Sequence, residues 1–155
     1  MRLTIAAIGR LKSGPESALV ADYAKRATVA GRPMSLGPLD VIEIDERKAR
    51  DQANQSARLK DAIPAGATAV VLDERGESLT SPNFAKMLGR ERDNGCPHMV
   101  FLIGGADGHT EDLRAAGYKL SLGPMVWPHM LARVMLSEQI YRAVSILAGS
   151  PYHRE

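Results

Sequence analysis

A chain of 155 residues, 45% hydrophobic and 25% charged, is long enough to bury a core of its own and too apolar to stay disordered. Its net charge of +2 says little about nucleic acid, because Lys and Arg are spread along the chain without a dense block and any RNA contact would need basic residues gathered by the fold. A single cysteine, Cys96, excludes an internal disulfide, and its Asn94-Gly95-Cys96-Pro97 setting offers no second thiol for a metal; a reducing cytoplasm and no metal are expected.

The first strand is expected at Arg2–Ile8. It is too short an apolar run, and too soon broken by Gly9-Arg10, to be a signal peptide, and no later run reaches membrane-spanning length. Ser13-Gly14-Pro15-Glu16 has the spacing of a capping box with an early proline and opens a helix to about Val29. Leu39–Ile44 reads as a strand, and the charged stretch 45–59 as a largely solvated helix ending before Pro64-Ala65-Gly66. Residues 68–72 form an unbroken apolar run of strand length, as a sheet covered on both faces requires. Ser81-Pro82 starts a third helix through Phe84, Met87 and Leu88; residues 99–103 are a fourth apolar strand; Thr110 caps a short helix before Gly117; and 119–122 is a fifth strand. The final helix runs from Pro128/His129 to Ala148. This alternation predicts a single-domain α/β fold over 1–155 with a mostly parallel sheet.

The last helix is apolar nearly all round. Leu131, Val134, Met135, Tyr141 and Val144 make one stripe, and Leu136, Ile140 and Leu147 extend it to a second face. One sheet covers one face of a helix, so the other needs a partner, and a symmetric homodimer built on this helix is the expectation.

Ligand sites in parallel α/β sheets lie at the carboxyl ends of strands. Three loops leave such ends: Leu72-Asp73-Glu74-Arg75-Gly76, Ile103-Gly104-Gly105-Ala106-Asp107-Gly108, and the segment from Leu122 through Gly123, Pro124, Met125, Val126 and Trp127 to Pro128. The second packs three glycines into five residues, which lets backbone approach a ligand without side chains intervening. It is neither Gly-x-Gly-x-x-Gly nor a phosphate loop with Gly-Lys-Ser/Thr, so dinucleotides and nucleoside triphosphates are disfavoured. The chain then ends in Pro151-Tyr152-His153-Arg154-Glu155, an aromatic hydroxyl, an imidazole and a guanidinium where termini are ordinarily plain. Glu138 and Arg142 have the spacing of a helix-surface ion pair. His98 and His109 show no clustering and read as structural.

Together these motifs resemble the RlmH family of SPOUT-class methyltransferases, which methylate N3 of pseudouridine 1915 in large-subunit (23S) ribosomal RNA. The resemblance covers the whole length. It rests on Leu72-Asp-x-x-Gly76 with Ser81 and Phe84-Ala85, on Phe101-Leu-Ile-Gly104-Gly105-x-x-Gly108, on Pro128-His129-x-Leu131-x-Arg133-Val134, on Glu138-Gln139-x-Tyr141-Arg142-Ala143, and on the terminal Pro151-Tyr152-His153-Arg154. It implies a deep trefoil knot near the C-terminus, a cytoplasmic homodimer acting on ribosomal RNA or the ribosome, and S-adenosylmethionine held by the three loops. The cofactor-binding positions would be Leu72, Gly104, Gly105, Gly108, Leu122, Gly123, Pro124, Met125, Val126 and Trp127. Gly123-Pro124 and Val126-Trp127 depart from the more usual Ser- and Thr-containing version, and Val in place of Thr removes a hydroxyl.

The chemistry asks for two things. N3 of pseudouridine lies between two carbonyls and must lose its proton before or as it attacks a methyl group, and the negative charge spreading over those carbonyls needs stabilising. Histidine or an activated tyrosine can take the proton, and arginine can hold the charge. His129, Arg133, Arg142, Tyr152, His153 and Arg154 are the expected substrate-side set, with the base among them left open. Tyr152 can equally stack on a base.

Overall fold

The computed structural model describes residues 1–154; Glu155, the last residue of the tail motif, lies outside the described residues. The elements are β1 (Arg2–Ile8), α1 (Pro15–Gly31), β2 (Leu39–Ile44), α2 (Gln52–Asp61), β3 (Thr68–Ser78), α3 (Ser81–Asp93), β4 (His98–Ile103), α4 (Glu111–Ala115), β5 (Tyr118–Ser121) and α5 (His129–Leu147). The five strands form one parallel sheet in the order β2-β1-β4-β3-β5. The α/β architecture expected from the alternation is what the chain adopts.

The period-two geometry of a strand explains why the strands are apolar throughout. Leu3, Ile5 and Ala7 of β1 join Met99, Phe101 and Ile103 of β4 on one face, under Ala27 of α1, Phe84 and Leu88 of α3, and Leu136 and Ile140 of α5. Ala6 and Ile8, with Val100 and Leu102, point to the other face, under Leu59 of α2 and Leu113 of α4. Phe84 meets Phe101 edge-on at 5.9 Å, the geometry their ring quadrupoles favour.

Several local expectations are corrected. Helix α1 does not use the capping box. Pro15 at its first turn forces residue 14 into extended backbone, so Gly14 (φ 168°) becomes the N-cap and no side chain caps the helix. The helix expected over 45–59 is broken in two: Asp45 accepts from the Arg47 N–H to close a single turn (Glu46–Lys48), and Asp51 then caps α2 through Asn54. Two aspartates that bond nearby backbone compete with helix continuation. Thr110 sits at the cap position of α4 but its hydroxyl makes no cap bond.

The largest correction concerns β3, which does not stop at Leu72. Leu72 pairs with Leu120 of β5, and so does Glu77, with 73–76 bulged out between them. Gly76 is there for space, since a Cβ at this position would lie 2.6 Å from the Leu120 carbonyl carbon.

The chain itself covers much of both apolar faces of helix α5. It packs on the sheet with α1 and α3 alongside, and Leu136, Ile140 and Val144 are fully buried within one protomer. The expectation that this helix needs a second copy to cover its other apolar face is thereby narrowed. What remains in water is the first turns and their approach: Met130, Leu131, Met125 and Val126, with Leu19 of α1.

Candidate active site

The three predicted segments converge on one cleft of about 750 Å³ at the carboxyl ends of β4 and β5, beside the bulge within β3. Its lining includes Leu72, Gly104, Gly105, Gly108, Leu122, Gly123, Met125, Val126, Trp127 and His129. Pro124 belongs to the same loop but stands outside the lining. Parallel strands bring their carboxyl ends to one edge, which is why loops distant in sequence meet.

The floor of the cleft is the turn 104–108. Gly104 is tightly surrounded: a Cβ would lie 3.1 Å from both the Gly108 carbonyl oxygen and His109 Cε1, so those neighbours would have to give, and a Cβ on Gly105 would lie 2.5 Å from Gln55 Oε1. The turn is clamped from behind by α2, where Gln52 Nε2 donates to the Asp107 carbonyl at 2.6 Å. His109 is buried beneath it, and its Nε2–H donates to the Leu72 carbonyl at 3.1 Å, tying β3 just before its bulge to the glycine turn. Burial pushes its pKa down, so the imidazole is neutral. His109 is therefore structural, as the sequence suggests, yet it shapes the cleft. The bulge after Leu72 forms a second wall, where Asp73 accepts from Arg114 Nε at 2.6 Å and from the Arg75 N–H at 2.9 Å. Sequence reasoning missed Asp73 and Arg114: residues 41 apart carry no local signal of a pair.

His129 starts α5 at the cleft's mouth. Its Nε2 lies 3.5 Å from where a Gly9 Cβ would be, so the end of β1 abuts the site. Arg133, one turn on, does not line the cleft in this protomer. It is fully buried, with Nη1 on Glu43 at 2.8 Å and Nη2 on the carbonyls of Ile8 and Gly9 at 3.1 Å each. The helix register turns it inward, toward the end of β1.

The remaining sequence candidates lie away from the cleft in this protomer. Arg142 donates through Nε to Glu138 at 3.0 Å, as their spacing suggests, and its guanidinium lies 4.9 Å over the Tyr152 ring. The Tyr152 hydroxyl donates to Glu138 at 3.0 Å, and Arg142 Nη1 donates to His153 Nδ1 at 3.4 Å. Tyr152 also packs on Tyr141 at 4.5 Å. The tail is thus folded onto its own α5, with Arg154 exposed. Burial and the hydrogen bond to Glu138 raise the Tyr152 pKa, which keeps its hydroxyl protonated and disfavours it as a base in this arrangement. A second hollow of about 510 Å³ lies on the other side of Leu122 and Gly123, with Glu138 and Gln139 in its wall.

The family described as "Predicted SPOUT methyltransferase" matches residues 1–153. The chain belongs to the SPOUT methyltransferases. Among its relatives, the ribosomal RNA large subunit methyltransferase H of Roseobacter denitrificans is 54% identical over 155 residues and that of Maricaulis maris 53% over 156, with at least 99% of each chain covered. The protein of the same name from Xanthobacter autotrophicus is 51% identical over 159 residues, with 99% of both chains covered. The SpoU methyltransferase AviRb of Streptomyces viridochromogenes, solved with AdoMet, aligns at TM-score 0.43 and 15% identity over 96% of this chain and 59% of its own, too distant to carry an argument. Among the described residues, no helix of this SPOUT methyltransferase is long and apolar enough to cross a membrane.

Proposed function

We propose that this chain, acting as one methyltransferase domain, transfers a methyl group from S-adenosylmethionine to N3 of pseudouridine 1915 in large-subunit ribosomal RNA. The observation that carries the reading is the cleft in which the Leu72 end, the glycine turn 104–108 and the loop 122–128 meet beside His129. The residues present fit the cofactor: a cleft lined by the backbone of Gly104 and Gly105, with apolar walls from Leu72, Leu122 and Trp127 and polar groups at its edge. When bound, the cofactor supplies an activated methyl, so no protein nucleophile is required. The chain's task is to hold it, exclude water and manage the proton and the charge. His129 is the cleft's one partly solvent-accessible imidazole, which makes it the base available within this protomer.

The reading extends to a trefoil knot, supported by family membership. It also extends to a cytoplasmic homodimer. The apolar groups left in water at the start of α5 and on α1 support self-association. Arg142, Tyr152, His153 and Arg154 lie outside their own cleft, and in this reading they serve the cleft of a second copy.

The test of the function is incubation of the purified protein with labelled S-adenosylmethionine and ribosomes lacking the modification, followed by mapping. Label at N3 of pseudouridine 1915 is expected; label elsewhere or nowhere refutes the reading. A non-catalytic RNA-binding factor would show no heat on titration with the cofactor.

Sharing of sites has its own test. Mixing Gly104→Val with the double variant His153→Ala, Arg154→Ala, each inactive alone, puts both lesions in one site of a mixed dimer and none in the other. With random exchange about half the dimers are mixed, so activity returns to roughly a quarter of wild type. No recovered methylation, with mixed dimers confirmed by tag pull-down, shows that each tail serves its own subunit.

A further inference from the structure

The basic residues that look scattered in the sequence are gathered by the fold at one place. Strands β1 and β2 are parallel neighbours, Ile8 opposite Ile44, and the Gly9 N–H donates to the Ile44 carbonyl at 2.8 Å. The loops that follow them therefore emerge side by side, on the same edge of the sheet as the cleft. Over residues 9–14 and 43–51 they carry Arg10, Lys12, Arg47, Lys48 and Arg50 against Glu43, Asp45, Glu46 and Asp51, a surplus of one positive charge.

Two of the carboxylates are spoken for. Glu43 is held by the buried Arg133 and by the Leu11 N–H, and Asp45 is shared between Arg10 and Arg47 at 3.7 and 2.8 Å. Lys12, Lys48 and Arg50 are exposed and make no ion pair among the described residues. Unpaired, solvated cations contribute nothing to the fold, and their effect is felt outside it.

The loops that carry these cations adjoin the site. The Gly9 Cβ position lies 3.6 Å from Glu46 Oε2 and 3.5 Å from His129 Nε2, and Gln52 at the start of α2 bonds the back of the glycine turn. We propose that the β1–α1 and β2–α2 loops form a phosphate-binding rim for the RNA substrate, with Lys12, Lys48 and Arg50 as its free cations. The inference rests on the RNA-methyltransferase reading above. Such a rim binds the RNA backbone without reading sequence and positions the strand so that one base can reach the cleft.

The test compares a rim variant, Lys12→Gln with Lys48→Gln and Arg50→Gln, with a charge-matched control, Lys25→Gln with Lys60→Gln and Lys86→Gln. All six positions are exposed, so both proteins should fold. The rim variant should raise KM for undermodified ribosomes roughly tenfold and flatten the dependence of log KM on log salt by roughly two to three units. Its kcat at saturating ribosomes and its affinity for S-adenosylmethionine should match wild type. A rim variant with the control's KM and salt slope overturns the proposal. If wild type methylates no ribosomal RNA, the functional reading fails separately, and the rim is then judged by anisotropy of a fluorescein-labelled RNA hairpin. Weaker binding by the rim variant alone supports the rim; equal binding by the two variants refutes it. A difference seen on anionic phosphatidylglycerol vesicles but not on the hairpin also refutes it, in favour of a lipid surface.

Discussion

Gly104→Val is expected to abolish binding of S-adenosylmethionine while leaving the chain folded. The Gly104 position already lies within 3.1 Å of the Gly108 carbonyl and His109 Cε1 at its missing Cβ, so two further methyl carbons have nowhere to go but toward the cleft or into His109. Displacing His109 would also break its bond to the Leu72 carbonyl and loosen the opposite wall. A loss of at least about 100-fold in affinity, some 2.8 kcal/mol, is the expected scale. Calorimetric titration reads it directly, with circular dichroism to show that the fold survives. Wild-type affinity in a folded variant would remove the glycine turn from the cofactor site.

The second large effect is on stability. Arg133→Met removes a fully buried guanidinium and leaves the Ile8 and Gly9 carbonyls without that donor, with Glu43 unpaired. Breaking a buried pair on one side costs about 3–5 kcal/mol; because Glu43 is a third exposed and can rehydrate, the lower end applies. For a chain of this size about 3 kcal/mol corresponds to a fall of roughly 6–12 °C in Tm. Arg133→Lys, which keeps the charge but not the planar fork, should fall between. Activity should drop with stability, since the Gly9 segment that Arg133 holds abuts His129. An unchanged Tm for Arg133→Met would mean that the buried network is dispensable and would return Arg133 to the substrate-side candidates.

Much of this molecule is legible in one dimension. Unbroken apolar runs in 68–72 and 99–103 mark strands covered on both faces, and Gly104-Gly105-x-x-Gly108 after a strand marks a backbone-lined site, because period and glycine placement are local properties of the chain. The tail motif and the Pro128-His129 start of α5 are equally local, and they carry the family. What the local reading misses depends on contacts across the fold. Arg133 reads as a substrate-side cation until the packing of α5 turns it toward β1. Thr110 sits at a cap position whether or not its hydroxyl bonds. The bulge at 73–76 exists because β5, 40 or more residues later, passes beneath Gly76. The same holds for the charge: Lys12 and Lys48 are unremarkable in sequence, and only the parallel pairing of β1 with β2 brings the loops that carry them to one edge of the sheet. Sequence determines which segments become strands, helices and glycine turns, since backbone preference and burial pattern act over a few residues. Tertiary structure decides which side chains meet water, ligand or one another, because that depends on the order in which the strands assemble.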